Sequence, residues 1–201
     1  MSDTTPASPR WKRWLKSSLQ TLGLMLVVVW VVQTWQTRHV ADRINMQQSW
    51  QWVDGRQAPM VSDGSSSQVL QNRVGAITLQ EWMTAHASGQ PVLLHVWAEW
   101  CPICKIDAPM VDDLMSSSMP VLTVAMRSGD AARVQRVMQQ KDLHWPVIID
   151  PSGEMSQALG LGGVPAYVVI TPDGRVHHPT MGATTRLGLW LRWWAVRLFS
   201  A

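Results

Sequence analysis

Pro91-Val92-Leu93-Leu94-His95-Val96-Trp97-Ala98-Glu99-Trp100-Cys101-Pro102-Ile103-Cys104-Lys105 runs a short, nearly continuous apolar segment into two cysteines three positions apart. An apolar run of this length, with little alternation, is what a parallel strand covered on both faces requires. The spacing after it predicts a helix over residues 101–115, ended by Ser116-Ser117-Ser118 and Pro120. Outward from there the alternation continues. Val121-Leu122-Thr123-Val124-Ala125-Met126 reads as a second buried strand, and Asp130 as the N-cap of a helix through 140. Residues 146–150 read as a short strand and 154–159 as a helix. Ala166-Tyr167-Val168-Val169-Ile170, Thr171-Pro172-Asp173-Gly174 and Arg175-Val176 read as a hairpin, and 184–199 as a terminal helix. Strands joined first by helices and last by a hairpin predict an α/β domain with a mixed sheet covered on both faces.

The cysteine pair carries chemistry. A thiol attacks only as thiolate, and at a pKa of about 8.5 roughly 3% is ionised at pH 7. A sulfur at the first turn of a helix faces unpaired N–H groups and the positive end of the helix dipole, which lowers that pKa. Pro102 suits the first turn because its missing N–H would have no partner there. Cys104, one turn on, is placed to attack a mixed disulfide formed at Cys101, so the spacing supports a two-step exchange. Trp97 and Trp100 are expected to shield one side and leave Cys101 as the exposed sulfur. Half of a zinc site is the plain alternative, but zinc needs further soft ligands. There are only two cysteines, and the six histidines include one close pair, His177-His178. No metal site is expected, although a copper(I) carrier using the two thiolates alone stays open.

A second element is Gly162-Gly163-Val164-Pro165, directly before a predicted strand. An X–Pro bond adopts cis at a cost of only about 0.5–1 kcal/mol. A cis Pro165 would present the backbone of Val164 beside the sulfurs, ready to pair with an extended substrate.

The chain has 201 residues, enough for one well-buried domain with appendages. Its net charge of +3 sits within residues 1–16, where Arg10, Lys12, Arg13 and Lys16 face Asp3 alone; the rest holds 13 basic and 13 acidic side chains. Without a basic patch, nucleic acid is not an expected partner. No charge occurs in the 21 residues between Lys16 and Arg38. As a helix these would span about 31 Å, close to a hydrocarbon core of about 30 Å. Trp11 and Trp14 flank one end, Trp30 and Trp35 the other. A cleaved signal peptide is the rival, but Gln33-Thr34-Trp35 and His39-Val40-Ala41 match a cleavage site poorly. The expectation is a cytoplasmic basic tail at 1–16 and an uncleaved transmembrane anchor at 17–37. A linker at 38–72, with a reach of roughly 30 Å as a coil, then leads to a folded domain at 73–201 outside the membrane. Trp50 and Trp52 argue that part of the linker packs on something.

The Trp-Cys-Pro-Ile-Cys-Lys and Gly-Val-Pro segments together resemble the thioredoxin superfamily over roughly residues 73–201. The likeness is to the bacterial membrane-tethered branch that includes TlpA-like and suppressor-of-copper-sensitivity D proteins. The resemblance implies a thioredoxin-like mixed sheet flanked by helices, with one N-terminal transmembrane helix in the bacterial inner (cytoplasmic) membrane. It implies thiol–disulfide exchange in the periplasm with protein thiols and disulfides, and recharging by a separate membrane electron carrier. Cys101 would be the nucleophile, Cys104 the resolving thiol and Pro165 the cis proline. Trp100, Pro102 and Val164 would join Pro165 at the substrate, and the Cys101–Cys104 disulfide would be the only redox group, with no other cofactor. Reductase is the expected direction. A thiol oxidant, a cytochrome-c-maturation thioredoxin or a copper(I)-binding module are the alternatives, and copper tolerance is an expected setting.

Three positions depart from the family pattern. His95 stands where thioredoxins carry a buried Asp that shuttles a proton; an imidazole could serve there, or could be a core polar residue bonded to backbone. Ala166 stands where cytochrome-c-maturation thioredoxins carry Glu, and Tyr167 where Thr or Phe is common. Asp107, three residues after Cys104, stands where tethered relatives often have Glu. In the terminal helix Leu187, Leu191, Trp194 and Leu198 form the expected core stripe. Leu189, Trp193 and Val196 form a second strip near Arg186, Arg192 and Arg197, buried deeper or set against a bilayer or partner.

Overall fold

Helix-forming sequence begins well before the cysteine-bearing domain. In the computed structural model, which describes residues 10–55 and 74–199, the first element is a 28-residue helix, α1 (Arg10–Thr37). The chain divides into two compact units at Arg38 and His39. Within the first, Leu19, Leu22, Leu24, Leu26 and Val27 through Val32 are exposed. The expected crossing at 17–37 includes side chains outside the described residues. Among the described residues no helix is long and apolar enough to cross a membrane.

The second unit holds seven strands: β1 (Ser49–Asp54), β2 (Val74–Thr78), β3 (Val92–Trp97), β4 (Val121–Met126), β5 (Pro146–Asp150), β6 (Ala166–Ile170) and β7 (Val176–Met181). They form one sheet in the order β2-β1-β5-β4-β3-β6-β7. The central β3, β4 and β5 are parallel; the outer pairs are antiparallel. Helices α2 (Leu79–His86), α3 (Pro102–Met115), α4 (Ala131–Gln140), α5 (Glu154–Ala158) and α6 (Arg186–Phe199) connect and follow the strands. Local chemistry sets their starts. Thr78 and Glu81 form a capping box on α2, and the Asp130 carboxylate accepts from Arg133 N at 2.8 Å to cap α4.

Successive residues of β3 point to opposite faces, so the strand serves two cores. Leu93 and Trp97 join Tyr167, Ala125, Val111, Leu114, Val134 and Trp193 on the cysteine face. Leu94 and Val96 join Leu122, Val168, Trp82, Met83 and Met155 on the other. All six residues of β3 are buried, which is why that segment carries no polar alternation.

Two expectations are corrected. The linker expected at 38–72 is folded over 39–54: β1 pairs with both β2 and β5, and Trp50 and Val53 are buried. Val40, Ile44 and Met46 pack on the second core. The domain expected at 73–201 therefore starts at His39, while 56–72 lies outside the described residues. Burying Trp50 and half-burying Trp52 against the second core, on a strand that pairs with the edge of β5, is the physical reason. The second correction concerns α6. Its core face is Leu189, Trp193 and Val196, whereas Leu187, Leu191 and Leu198 are exposed. The Trp193 indole donates to Pro91 O at 2.7 Å, a buried bond that fixes this rotation of the helix.

The entry segment depends on Gly160. Ala41 N donates to Leu159 O at 3.1 Å, Gly160 has φ +71°, and a Cβ on it would collide with the His39 carbonyl. Gly160→Ala is expected to destabilise the domain by at least about 1–2 kcal/mol in urea melts, the left-handed penalty alone. Gly162→Ala, with nothing near its Cβ, should be close to neutral.

Candidate active site

The end of β3 delivers the cysteines to the start of α3. Cys101 is the N-cap residue in extended conformation, and Pro102 opens the helix. Cys104 N–H donates to Cys101 Sγ at 3.1 Å, so the sulfur occupies the place a capping oxygen usually takes. A disulfide joins Cys101 and Cys104, with Cα atoms 5.3 Å apart. The Val164–Pro165 peptide is cis, as expected, and Val164 O lies 3.7 Å from Cys101 Sγ. The two segments singled out in the sequence thus meet across 63 residues of chain.

The expectation of an exposed Cys101 sulfur is corrected: Cys101 is 3% and Cys104 4% exposed. The Gly-Val-Pro segment covers the sulfurs from one side, with Pro165 buried and Val164 half-buried. Around them, Trp100 and Ile103 are exposed, at 57% and 44%, and form an apolar rim. Trp100 is pinned by its indole, which donates to Arg127 O at 3.2 Å. Trp97 does not shield from solvent; it is buried edge-on against Trp145 at 5.6 Å.

A cavity of about 440 Å³ reaches Cys104 from the other side, walled by Trp97, Lys105, Asp112, Lys141 and Trp145. Partial desolvation and the neighbouring Lys105 hold the Lys141 ammonium below the usual lysine range. Nearby, Arg133 pairs with Glu99 at 2.7 Å and holds that carboxyl below its ordinary value. Both groups are open to water, so the pair contributes little stability.

His95 lies on the cysteine face of the sheet, fully buried. Its ring stacks on Tyr167 at 4.5 Å and meets Trp145 edge-on at 6.0 Å. Neither ring nitrogen makes a side-chain hydrogen bond of good geometry. Desolvation, opposed by the backbone of Ala166, pushes its pKa down to about 3. A neutral imidazole of that basicity is a poor acceptor for a thiol proton, which weighs against the shuttle role.

Tyr167 and Asp107 form a pair that sequence reasoning missed. The Tyr167 hydroxyl donates to Asp107 Oδ2 at 3.1 Å, and both residues are buried. Burial and the adjacent Asp107 push the phenol up, so it stays a donor. Both positions stand out in the sequence as departures from the family, but nothing in it says that they touch. Among the described residues no group of three or more His, Cys, Asp or Glu could hold a metal ion.

Comparison with known proteins agrees with this geometry. The Redoxin profile matches residues 54–186, which contain both cysteines and the cis proline. The chain belongs to the Redoxin family. This redoxin is 30% identical over 139 residues to a thioredoxin-like protein of Haemophilus influenzae, covering 66% of this chain and 80% of the relative. It is 30% identical over 101 residues to the thiol-disulfide oxidoreductase ResA of Oceanobacillus iheyensis, covering 48% and 52%. With the thiol:disulfide interchange protein DsbE of Pseudomonas aeruginosa it shares 27% over 101 residues, covering 49% and 54%. The chain thus spans about half the length of those last two relatives. Among solved structures, the exposed lipoprotein thioredoxin Etrx1 of Streptococcus pneumoniae superposes with a TM-score of 0.53 at 21% identity, covering 63% of this chain and 94% of that one. The MTB dsbF structure gives 0.54 at 21%, covering 75% and 96%. At such identity the likeness shows the fold, which is the thioredoxin fold. The redoxin is a member of the thioredoxin superfamily and a thioredoxin-like protein disulfide oxidoreductase.

The buried imidazole has a measurable consequence. With His95 near 3 when folded and about 6.5 when unfolded, the unfolded state binds the proton first as pH falls. Stability is therefore full above pH 6.5 and declines as pH drops toward 3. Between pH 6.5 and 5 the wild-type unfolding free energy should fall by up to about 1.4 kcal/mol per pH unit more steeply than that of His95→Phe. Urea melts across that window measure the difference.

Proposed function

We propose that this redoxin exchanges disulfides with protein partners in the periplasm through Cys101 and Cys104, working mainly as a reductase tethered to the inner membrane. The observation that carries the proposal is the cysteine pair at the start of α3, with the Val164 carbonyl 3.7 Å from Cys101 Sγ. In the reduced protein, the Cys101 thiolate attacks one sulfur of a partner disulfide. A mixed disulfide forms and the partner's other sulfur leaves as thiolate. Deprotonated Cys104 then attacks Cys101 Sγ, releasing the second partner thiolate and forming the Cys101–Cys104 disulfide. Two electrons pass to the partner, and no cofactor beyond the cysteine pair is needed. The backbone of Val164 pairs with the extended partner segment while Trp100, Pro102 and Pro165 bound it. The names of the relatives in Oceanobacillus and Pseudomonas support the chemistry.

The tether is residues 17–37, whose uncharged, exposed apolar stretch supports a bilayer crossing with the basic tail in the cytoplasm. A membrane electron carrier then returns the spent disulfide to dithiol.

Cys104→Ala should accumulate mixed disulfides with partner proteins, visible as reducible adducts on non-reducing gels, whereas Cys101→Ser should give none and reduce exchange to background. In Cys104→Ala, the pH midpoint of iodoacetamide alkylation should lie at least about one unit below 8.5. A midpoint at the free-thiol value overturns the assignment. Anaerobic copper(I) titration of the reduced chain separates the metal-carrier alternative: tight stoichiometric binding without measurable exchange would favour it.

A further inference from the structure

Helix α4 does not end on glycine. Lys141 caps it, Asp142 follows at φ +54°, and the Leu143 amide donates to Met138 O at 2.9 Å. A left-handed residue at this point reverses the chain, so Lys141 and Leu143 both reach the cavity of about 440 Å³ that borders Cys104. The wall of that cavity is largely apolar, and Trp97, Trp145 and Leu143 on it are buried. Lys105, one residue after Cys104, and Lys141 line it too but are exposed, so they stand at its mouth.

The charges at that mouth do not cancel. Asp112 also lines the cavity, but its carboxylate already accepts the Trp145 indole N–H at 2.5 Å. Glu99 is held by Arg133 at 2.7 Å. Neither Lys105 nor Lys141 makes an ion pair among the described residues. Desolvation first and Lys105 second hold the Lys141 ammonium below the ordinary lysine range, and Glu99 only partly offsets them. An anion between the two lysines is therefore favoured by both.

A concave, mostly apolar wall with a few charged groups at its mouth, at this volume, has the make-up of a small-molecule site. The wall suits an aromatic body. Two ammoniums against one carboxylate leave a single positive charge on the lining, which matches a carboxylate monoanion better than a phosphate dianion. We infer that this cavity binds a small aromatic monocarboxylate, with the carboxylate between Lys105 and Lys141 and the ring against Trp97, Trp145 and Leu143. Trp100, Val164 and Pro165 are not among its walls, so ligand and extended partner occupy different surfaces. A filled cavity also withdraws water from Cys104, and desolvation disfavours the thiolate that resolves a mixed disulfide. That consequence, unlike the binding, rests on the exchange proposed above.

The test is calorimetric titration of the oxidised full chain in dodecylmaltoside micelles with 3-phenylpropionate, against protein-free micelles as blank. Saturable binding at one site per chain is expected. The neutral 3-phenylpropionamide, and acetate without the ring, should each bind at least about tenfold more weakly. Lys105→Gln and Lys141→Gln should each weaken the carboxylate at least about threefold and leave the amide unchanged. Ala108→Leu, which adds volume at the half-buried wall, should abolish binding. Heat that never saturates, acid and amide bound alike, or lysine variants that bind like the wild type would overturn the inference. So would binding that survives Ala108→Leu in a chain with wild-type urea melts. In the reduced chain, saturating 3-phenylpropionate should slow exchange with a peptide disulfide at least about twofold. Binding with no effect on exchange overturns the link to Cys104. Absence of exchange without ligand overturns the proposed function and leaves the binding site standing.

Discussion

A sulfur placed where a helix expects a capping oxygen is the constraint on which the site depends. Cys101 accepts the Cys104 amide at 3.1 Å, so the reacting atom is also the cap that starts α3. A negative sulfur there meets N–H groups that would otherwise point at nothing. To hold that arrangement, the residues before it must not move, and β3 achieves this with six buried side chains in the middle of the sheet. Val111 and Leu114 anchor the other end of α3 in the same core. The rigidity of the sheet is what keeps Val164 at the sulfur although it arrives from a distant part of the chain.

On the cysteine face of the sheet, a ring stack stands beside a buried acid. Where a thioredoxin keeps a buried carboxylate, this chain keeps His95, neutral and stacked on Tyr167. The buried carboxylate has not vanished; Asp107 supplies it from α3, and Tyr167 supplies its hydrogen-bond donor. His95 on β3 and Tyr167 on β6 therefore work together: the ring that covers the imidazole also satisfies the acid. A buried carboxylate without a donor would carry the full desolvation cost.

How much of this is legible in the sequence depends on the range of the interaction that determines it. The cysteine pair, Pro102 and Asp130 act within one helical turn, and their roles follow from spacing alone. The strands at Val121–Met126 and Ala166–Ile170 are legible because both faces are covered, which leaves an unbroken apolar run. β1 is different: Ser49–Asp54 alternates indole and polar side chains in an otherwise polar stretch, and its partners lie at 74–78 and 146–150. Trp50 and Trp52 are the only local sign of it. The rotation of α6 was not legible at all, since the helix has two apolar strips. The bond from Trp193 to Pro91, 102 residues away, decides between them.

That rotation ties the fold to its surroundings. A helix needs one apolar strip to hold a domain together, and a second strip on the outside is costly unless something covers it. The last turn of α6 lies at the hairpin-tip end of the sheet, and the disulfide sits at the other end, across β3, roughly 20 Å away for a six-residue strand.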